Sequence, residues 1–180
     1  MPREFTTLGS ALAVRGGELE DSFERIYVDA WPRVLKYVWL LVRDLPEAED
    51  LTAEALRRGY VAWSSGRLRG RDPIPWLLLT ARRLVINRAR RRALIAWIPL
   101  AGEPHVVDVN DALARSESAI WFRQLARLLP ARQYEVLVLR YQLTLPDAET
   151  ARIMAISEAG VRSLAWRALE TLRRHPEVLE

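Results

Sequence analysis

Residues 129–169 read LPARQYEVLVLRYQLTLPDAETARIMAISEAGVRSLAWRAL. Pro130 opens a helix that runs to about Gln142, and a shorter helix begins near Pro146, with Thr144 and Asp147 spaced as a capping box. Ser157 is a good N-cap for a longer helix to about Arg174, just before Pro176. A short helix, a tight turn and a longer helix over 146–173 form the length pattern of a helix-turn-helix, whose second helix enters the DNA major groove. Ala151, Ile156, Val161, Leu164 and Ala168 are predicted to face inward, small Ala151 letting the helices approach closely. Arg162, Ser163, Trp166 and Arg167 then lie on or near the outward face. Arginine suits guanine edges and phosphates, serine donates to either, and a tryptophan edge can meet a thymine methyl or a sugar. Taken alone, the segment also fits a plain helical hairpin with a solvated charged face.

Outward from this segment, almost everything reads as helix. From Glu18 to Leu41 apolar residues recur at Phe23, Ile26, Tyr27, Ala30, Val34, Leu35, Val38 and Leu41, a helical stripe that Pro32 kinks or restarts. After a break at 44–46, Pro46 opens a second helix with acids in its first turns, where the helix dipole favours them. Residues 64–75 (SSGRLRGRDPIP) form a loop made basic by Arg67, Arg69 and Arg71. A third helix is predicted from about Trp76 to Arg92, and another from about Glu117 to Leu128. Between them, residues 93–116 have no sustained period and are punctuated by Pro99, Gly102 and Pro104. The predicted fold is therefore all-α: an N-terminal tail (1–17), a small helical domain (18–92), a flexible linker (93–116) and a second small helical domain (117–180) containing the helix-turn-helix. Trp31, Trp39, Trp76 and Trp121 are expected in the cores.

Composition narrows the function. The chain has 180 residues, half of them apolar, which suits one ordinary domain or two small ones. There is no cysteine, so disulfides, thiolate metal sites and a cysteine nucleophile are excluded. Only His105 and His175 could serve as a catalytic imidazole, one in the linker and one beside Pro176, and neither is placed for acid–base work. Asp50 and Glu54 share a helix face, but two carboxylates on an exposed helix are ordinarily surface. No catalytic residue, metal site or cofactor is expected. No apolar run reaches the ~18 residues of a membrane span, and no secretion-signal layout opens the chain, so a cytoplasmic protein is expected. Lysine occurs once, at Lys36, and the other 26 of the 27 basic residues are arginine. Residues 1–92 carry 17 basic and 12 acidic side chains, and RRLVINRARRR (82–92) holds six arginines and no acid. A basic cluster on a near-neutral chain points to a polyanion at one face.

Two segments carry a family resemblance. PEAEDLTAEAL (46–56) followed by PIPWLLLTARRLVINRARRR (73–92) resembles the core-binding and −10-binding parts of sigma factors of the sigma-70 superfamily, and 129–169 looks like their −35-binding domain. Only these two domains fit the chain, which is the layout of the extracytoplasmic-function (ECF) group. The resemblance implies a sigma factor that directs bacterial RNA polymerase to promoters. It implies core-polymerase contacts from Asp44, Glu49, Asp50 and Glu54, with Leu51 as an anchor. It implies −10 contacts from the loop arginines Arg67, Arg69 and Arg71 around a flipped base, from Arg83 and Asn87 one turn apart, and from Arg88, Arg90, Arg91 and Arg92 on the backbone. On the −35 element it implies Ser157, Arg162, Ser163, Trp166 and Arg167. The implied partners are core RNA polymerase, promoter DNA and, as the family commonly has one, an anti-sigma factor. The chain departs from the family pattern at Ala53, Arg83, Asn87, Ala155, Ala159, Gly160 and Leu164, several of them on base-reading positions. A LuxR-type regulator is the alternative, with 18–92 as a sensory or dimerisation bundle. The arginine run behind a basic loop is a feature such a bundle does not need.

Overall fold

The computed structural model describes residues 23–68, 70–95 and 117–175, and among these all regular structure is helical. Helix α1 spans Phe23–Val42 and buries Ala30, Val34, Leu35, Tyr37, Val38, Trp39 and Leu40. Pro32 lies inside it, and the helix continues through as one element because this long apolar face is buried on both sides of the proline. The predicted start at Glu18 lies outside the described residues. Arg43 ends α1 in the left-handed region (φ 59°), its N–H donating to the Trp39 carbonyl at 2.7 Å. Asp44 then caps helix α2, Leu45–Ser64: its carboxylate accepts the Glu47 N–H at 2.8 Å, with Pro46 in the first turn.

The loop that follows turns on Gly66 and Gly70, whose φ of 79° and 68° would strain any side chain, and it is pinned by buried Leu68. Helix α3 spans Pro73–Ile95. It begins three residues before the predicted Trp76, because the Asp72 carboxylate accepts the Ile74 N–H at 2.9 Å and Pro73 suits a first helical position. It also runs past Arg92, so residues 93–95, read from the sequence as linker, are helical. The rest of the predicted linker, 96–116, lies outside the described residues. Helices α1, α2 and α3 pack mutually. The approach of α2 to α3 is close enough that a Cβ on Gly59 would sit 2.6 Å from the Leu77 side chain.

In the second half, α4 spans Glu117–Leu128, as predicted. Helix α5, Ala131–Leu137, passes into a π-turn over Val138–Gln142, closed by the Leu143 N–H on the Val138 carbonyl at 3.1 Å. The helix predicted to about Gln142 thus ends there, with its last turn widened to a π-turn in which Val138 and Leu139 are buried. The capping box is corrected too. Thr144 is left-handed (φ 52°) and its hydroxyl donates to the Leu143 carbonyl, so α6, Asp147–Met154, starts at Pro146 with no side-chain cap. Ala155, again left-handed, closes α6, and Ser157 caps α7, Glu158–Arg173, by accepting the Gly160 N–H at 3.1 Å. Ala151, Val161 and Ala168 are buried as expected, together with Ala165 and Leu172, while Ile156 and Leu164 pack half-buried against them. Of the four tryptophans, Trp39 is buried, and Trp31, Trp76 and Trp121 lie half-buried against the core.

The two halves form one continuous core. Helix α6 lies on α3, and α4 and the π-turn lie on α1. The seam between them is partly polar. The Glu135 carboxylate, from α5, accepts the Tyr37 hydroxyl (2.8 Å) and the Arg82 fork (2.6 and 3.2 Å), and the Tyr134 hydroxyl donates to the Leu40 carbonyl at 3.0 Å. That last bond satisfies one of the carbonyls that the end of α1 leaves without a helical partner. Burial, and next the adjacent Glu135, hold the Tyr37 phenol well above its ordinary range. Burial likewise raises Tyr134.

Candidate nucleic-acid interface

Three exposed surfaces hold the residues singled out in the sequence. The first is acidic. Glu49 and Asp50 project from the outer face of α2, with Leu51 half-buried beside them and packed on the core. The other two acids have local duties as well. Asp44 is the cap of α2. Glu54 is bound by Arg57 (2.7 and 3.0 Å) and Arg58 (2.7 Å), hydrogen bonds that pull its pKa down to about 2.

The second surface is basic. On α3, Arg83, Asn87, Arg90 and Arg91 are all exposed, and their spacing of four, seven and eight residues puts them on one side of the helix. Arg67 and Arg71 are exposed on the preceding loop, the Arg67 guanidinium donating to the Ser65 hydroxyl at 3.0 Å. Arg69 lies outside the described residues. Arg88 and Arg92 are rotated toward α2, where they meet the buried carboxylate of Glu47 at 3.3 and 2.8 Å. These two arginines tie α3 to α2, and they are less free to take a phosphate than Arg90 and Arg91. Arg82 turns the other way, into Glu135. Glu47 and Glu135 are the residues that sequence reasoning missed: each reads as one more surface acid, and only the fold buries it.

Aromatics adjoin the basic loop. Phe23 meets Tyr60 edge-on at 5.2 Å and Trp63 at 5.9 Å, leaving Tyr60 and Val61 partly exposed in the last two turns of α2. Exposed aromatic rings beside arginines are a platform suited to unstacked bases. The sequence contained the signal, YVAW directly before the loop, but helical spacing alone does not separate such rings from core.

The third surface is the outer face of α7. Trp166 is 62% exposed, and Arg162 and Arg167 flank it. Ser163 is half-buried and accepts from the Arg167 guanidinium at 2.9 Å, which orients that side chain. Arg162 lies 3.7 Å from Asp147 and 3.9 Å from Glu158, and Arg140 holds Asp147 at 2.9 Å. The two Arg162 contacts are long and the arginine is exposed, so a phosphate or a base edge can displace them. Ser157, the cap, is exposed at the helix start. Among the described residues no group of three or more His, Asp or Glu side chains could hold a metal ion. No described helix is long and apolar enough to cross a membrane.

Comparison with known proteins covers both halves. Residues 26–95 match the family model of Sigma-70 region 2, and residues 119–172 match that of Sigma-70, region 4. The chain is 31% identical over 161 residues to the ECF RNA polymerase sigma factor BldN of Streptomyces coelicolor, a match covering 86% of this chain and 60% of BldN, so it spans under two thirds of that relative's length. It is 26% identical over 169 residues to the ECF RNA polymerase sigma factor SigX of Bacillus subtilis, covering 89% of this chain and 87% of SigX. Among solved structures, the sigma factor RpoE of Bartonella quintana, crystallised with the anti-sigma factor NepR, shares the fold with a TM-score of 0.71 and 19% identity over 87% of this chain and 96% of that one. The region that a LuxR-type regulator would use as a sensory bundle is the region that matches Sigma-70 region 2.

Proposed function

This chain belongs to the ECF group of the sigma-70 family of RNA polymerase sigma factors, and we propose that it directs the polymerase to promoters. The observation that carries this reading is the division of exposed charge. Acids stand on the outer face of α2, while arginines stand on the outer faces of α3 and α7. In this reading Glu49 and Asp50, with Leu51 behind them, dock on a basic surface of core polymerase. Arg83 and Asn87 read the melted −10 strand, Arg90 and Arg91 hold its phosphates, and the 65–72 loop with its Arg67, Arg69 and Arg71 receives an extruded base, whose unstacking costs a few kcal/mol. The α7 face of Arg162, Trp166 and Arg167 reads the −35 element as duplex, with phosphates at the Ser157 end of the helix. The chain itself catalyses no reaction and works in the cytoplasm, where the polymerase is. RpoE was solved with an anti-sigma factor, and a partner of that kind would cover the same faces here.

The test is transcription in vitro with purified core polymerase and genomic DNA, followed by mapping of the start sites. A defined set of starts sharing two spaced elements is expected, and no transcript from any template refutes the proposal. The double substitution Glu49→Lys, Asp50→Lys should abolish core binding with an unchanged melting temperature, because both side chains are exposed. Unchanged polymerase affinity refutes the docking face.

A further inference from the structure

The corner where the π-turn, α6 and α7 meet holds a cluster of ions of which only Arg162 has so far been given a part in reading DNA. The π-turn places Arg140 so that its Nε meets the Asp147 Oδ1 at 2.9 Å, and its guanidinium lies over the ring of the adjacent Tyr141, 5.6 Å from the centroid. The other carboxylate oxygen of Asp147 faces the Arg162 Nη1 at 3.7 Å, and Glu158, one turn earlier on α7, faces the same nitrogen at 3.9 Å. Asp147 thus stands between two arginines from different elements. The backbone sets its place: buried Leu143 and Leu145 pin the chain on either side of left-handed Thr144, and the Leu145 N–H donates to the Leu139 carbonyl at 3.1 Å. The Asp147 side chain is 22% exposed and that of Arg162 is 59% exposed, so a fixed acid lies behind a free arginine.

An arginine on a recognition helix has two kinds of acceptor within reach. A phosphate attracts it strongly and carries no sequence information, whereas a guanine edge offers N7 and O6 and does. Either ligand can displace the long Arg162 contacts. The two ligands differ in what they then meet. A phosphate brings its negative charge up to the Asp147 and Glu158 carboxylates, and like charges set side by side are a means of rejecting the wrong partner. A base edge is neutral and meets no such repulsion. Arg140 is bonded to the other Asp147 oxygen, so the carboxylate lies between the two guanidinium groups and is held in place toward Arg162.

We propose that Asp147, held by Arg140 and assisted by Glu158, is a specificity-determining residue that reserves Arg162 for a base edge by disfavouring a phosphate there; this rests on the reading of α7 as the −35-binding face. Asp147 itself touches no DNA and acts through Arg162 as a positioning residue. Its carboxylate caps no helix, because α6 begins at Pro146 without a side-chain cap, so its charge can be removed while the start of the helix is kept.

The test uses the full chain assembled with core polymerase. Its affinity is measured across a salt series on a mapped promoter, on the same duplex with each single base-pair change in the −35 element, and on random duplex. Arg162→Ala identifies the base pair that Arg162 reads. Asp147→Asn should lower the preference for that pair about two- to fivefold, the scale of one exposed charge contact. It should also raise affinity for random duplex and steepen the slope of log affinity against log salt by up to about 0.9, one duplex phosphate, which a merely structural role would not do. Asp147→Glu, which keeps the charge, should retain most of the preference. With Arg162→Ala already present, Asp147→Asn should remove no further preference. Glu149→Gln takes the same charge from the same turn, about 200° around α6, and should change neither readout. If Asp147→Asn does not fold, Glu158→Gln, which is exposed and faces the same nitrogen, should give a smaller shift in the same direction. A folded Asp147→Asn with the wild-type preference and slope, an equal loss without Arg162, or an equal effect from Glu149→Gln overturns the assignment. So does a transcribing complex in which Arg162→Ala weakens every sequence alike. Failure to transcribe from any template overturns the sigma-factor reading itself, and the assignment with it.

Discussion

Replacing Ala155 with glycine should make this protein more stable. Ala155 closes α6 with φ 53° and ψ 53°, and the hydrogen bonds there are those of a Schellman end: the Ile156 N–H reaches the Ala151 carbonyl at 3.1 Å and the Ala155 N–H reaches that of Arg152 at 3.4 Å. A left-handed alanine costs roughly 1–2 kcal/mol because its Cβ crowds the following carbonyl. Glycine removes that strain but frees the unfolded chain, which returns about 0.4–1 kcal/mol. Ala155 is exposed, so its methyl group contributes no buried packing that would be lost. The net is a gain of about 0.5–1 kcal/mol, or about 1–4 °C in melting temperature for a chain of this size. Urea and thermal melts followed by circular dichroism measure it. Affinity for a −35 duplex should be unchanged, since the α7 angle stays as the Schellman bonds set it. A midpoint that falls or does not move refutes the claim that the turn is strained.

Other outcomes follow from the exposed arginines and from Glu54. Arg162→Ala should weaken binding to a −35 duplex by roughly 1–3 kcal/mol if the side chain reads a base, because its ion pairs within the described residues, to Asp147 and Glu158, are loose. A loss equal on every sequence makes it a phosphate contact. Arg90→Ala with Arg91→Ala should lower the slope of log affinity against log salt by about 1.4, or about 0.7 for each single-strand phosphate contact, whereas Arg88→Ala, whose side chain is already paired with Glu47, should lower it by less than about 0.7. Filter binding across a salt series separates the two. Glu54 is held at a pKa of about 2 against an ordinary 4.5, so its pairing with Arg57 and Arg58 stabilises the fold above pH 4.5 and that contribution disappears as pH falls toward 2. Thermal melts of wild type and Glu54→Gln should therefore differ at neutral pH and converge at acid pH; a constant difference contradicts the pairing.

Much of the fold was legible because helix ends are local. Ser157, Asp72 with Pro73, and Pro46 behind Asp44 are chemical signals within a few residues of the backbone groups they satisfy, although of these only Ser157 and Pro46 are read from the sequence as helix starts, and the caps at Asp44 and Asp72 emerge with the structure. The helix-turn-helix and the outward face of α7 came from apolar spacing and from small Ala151, whereas the DNA-facing side of α3 was implied by the family resemblance. The errors share one origin. Thr144 has the spacing of a cap, but its backbone is held left-handed between a π-turn and α6, and no window of neighbouring residues encodes that. Arg88 and Arg92 look like the rest of an arginine run until α2 brings Glu47 beneath them.

By itself, then, the order of residues determined which segments are helical, which side of each is apolar, and that two such units bear outward arginines, since capping and periodicity act over one or two turns. Only the tertiary structure decided which charges stay free. Arg82 and Arg83 are neighbours of identical chemistry, and a rotation of about 100° around α3 sends one into Glu135, 53 positions away, and leaves the other in solvent. Long-range burial is a property of how helices pack, and no local pattern carries it.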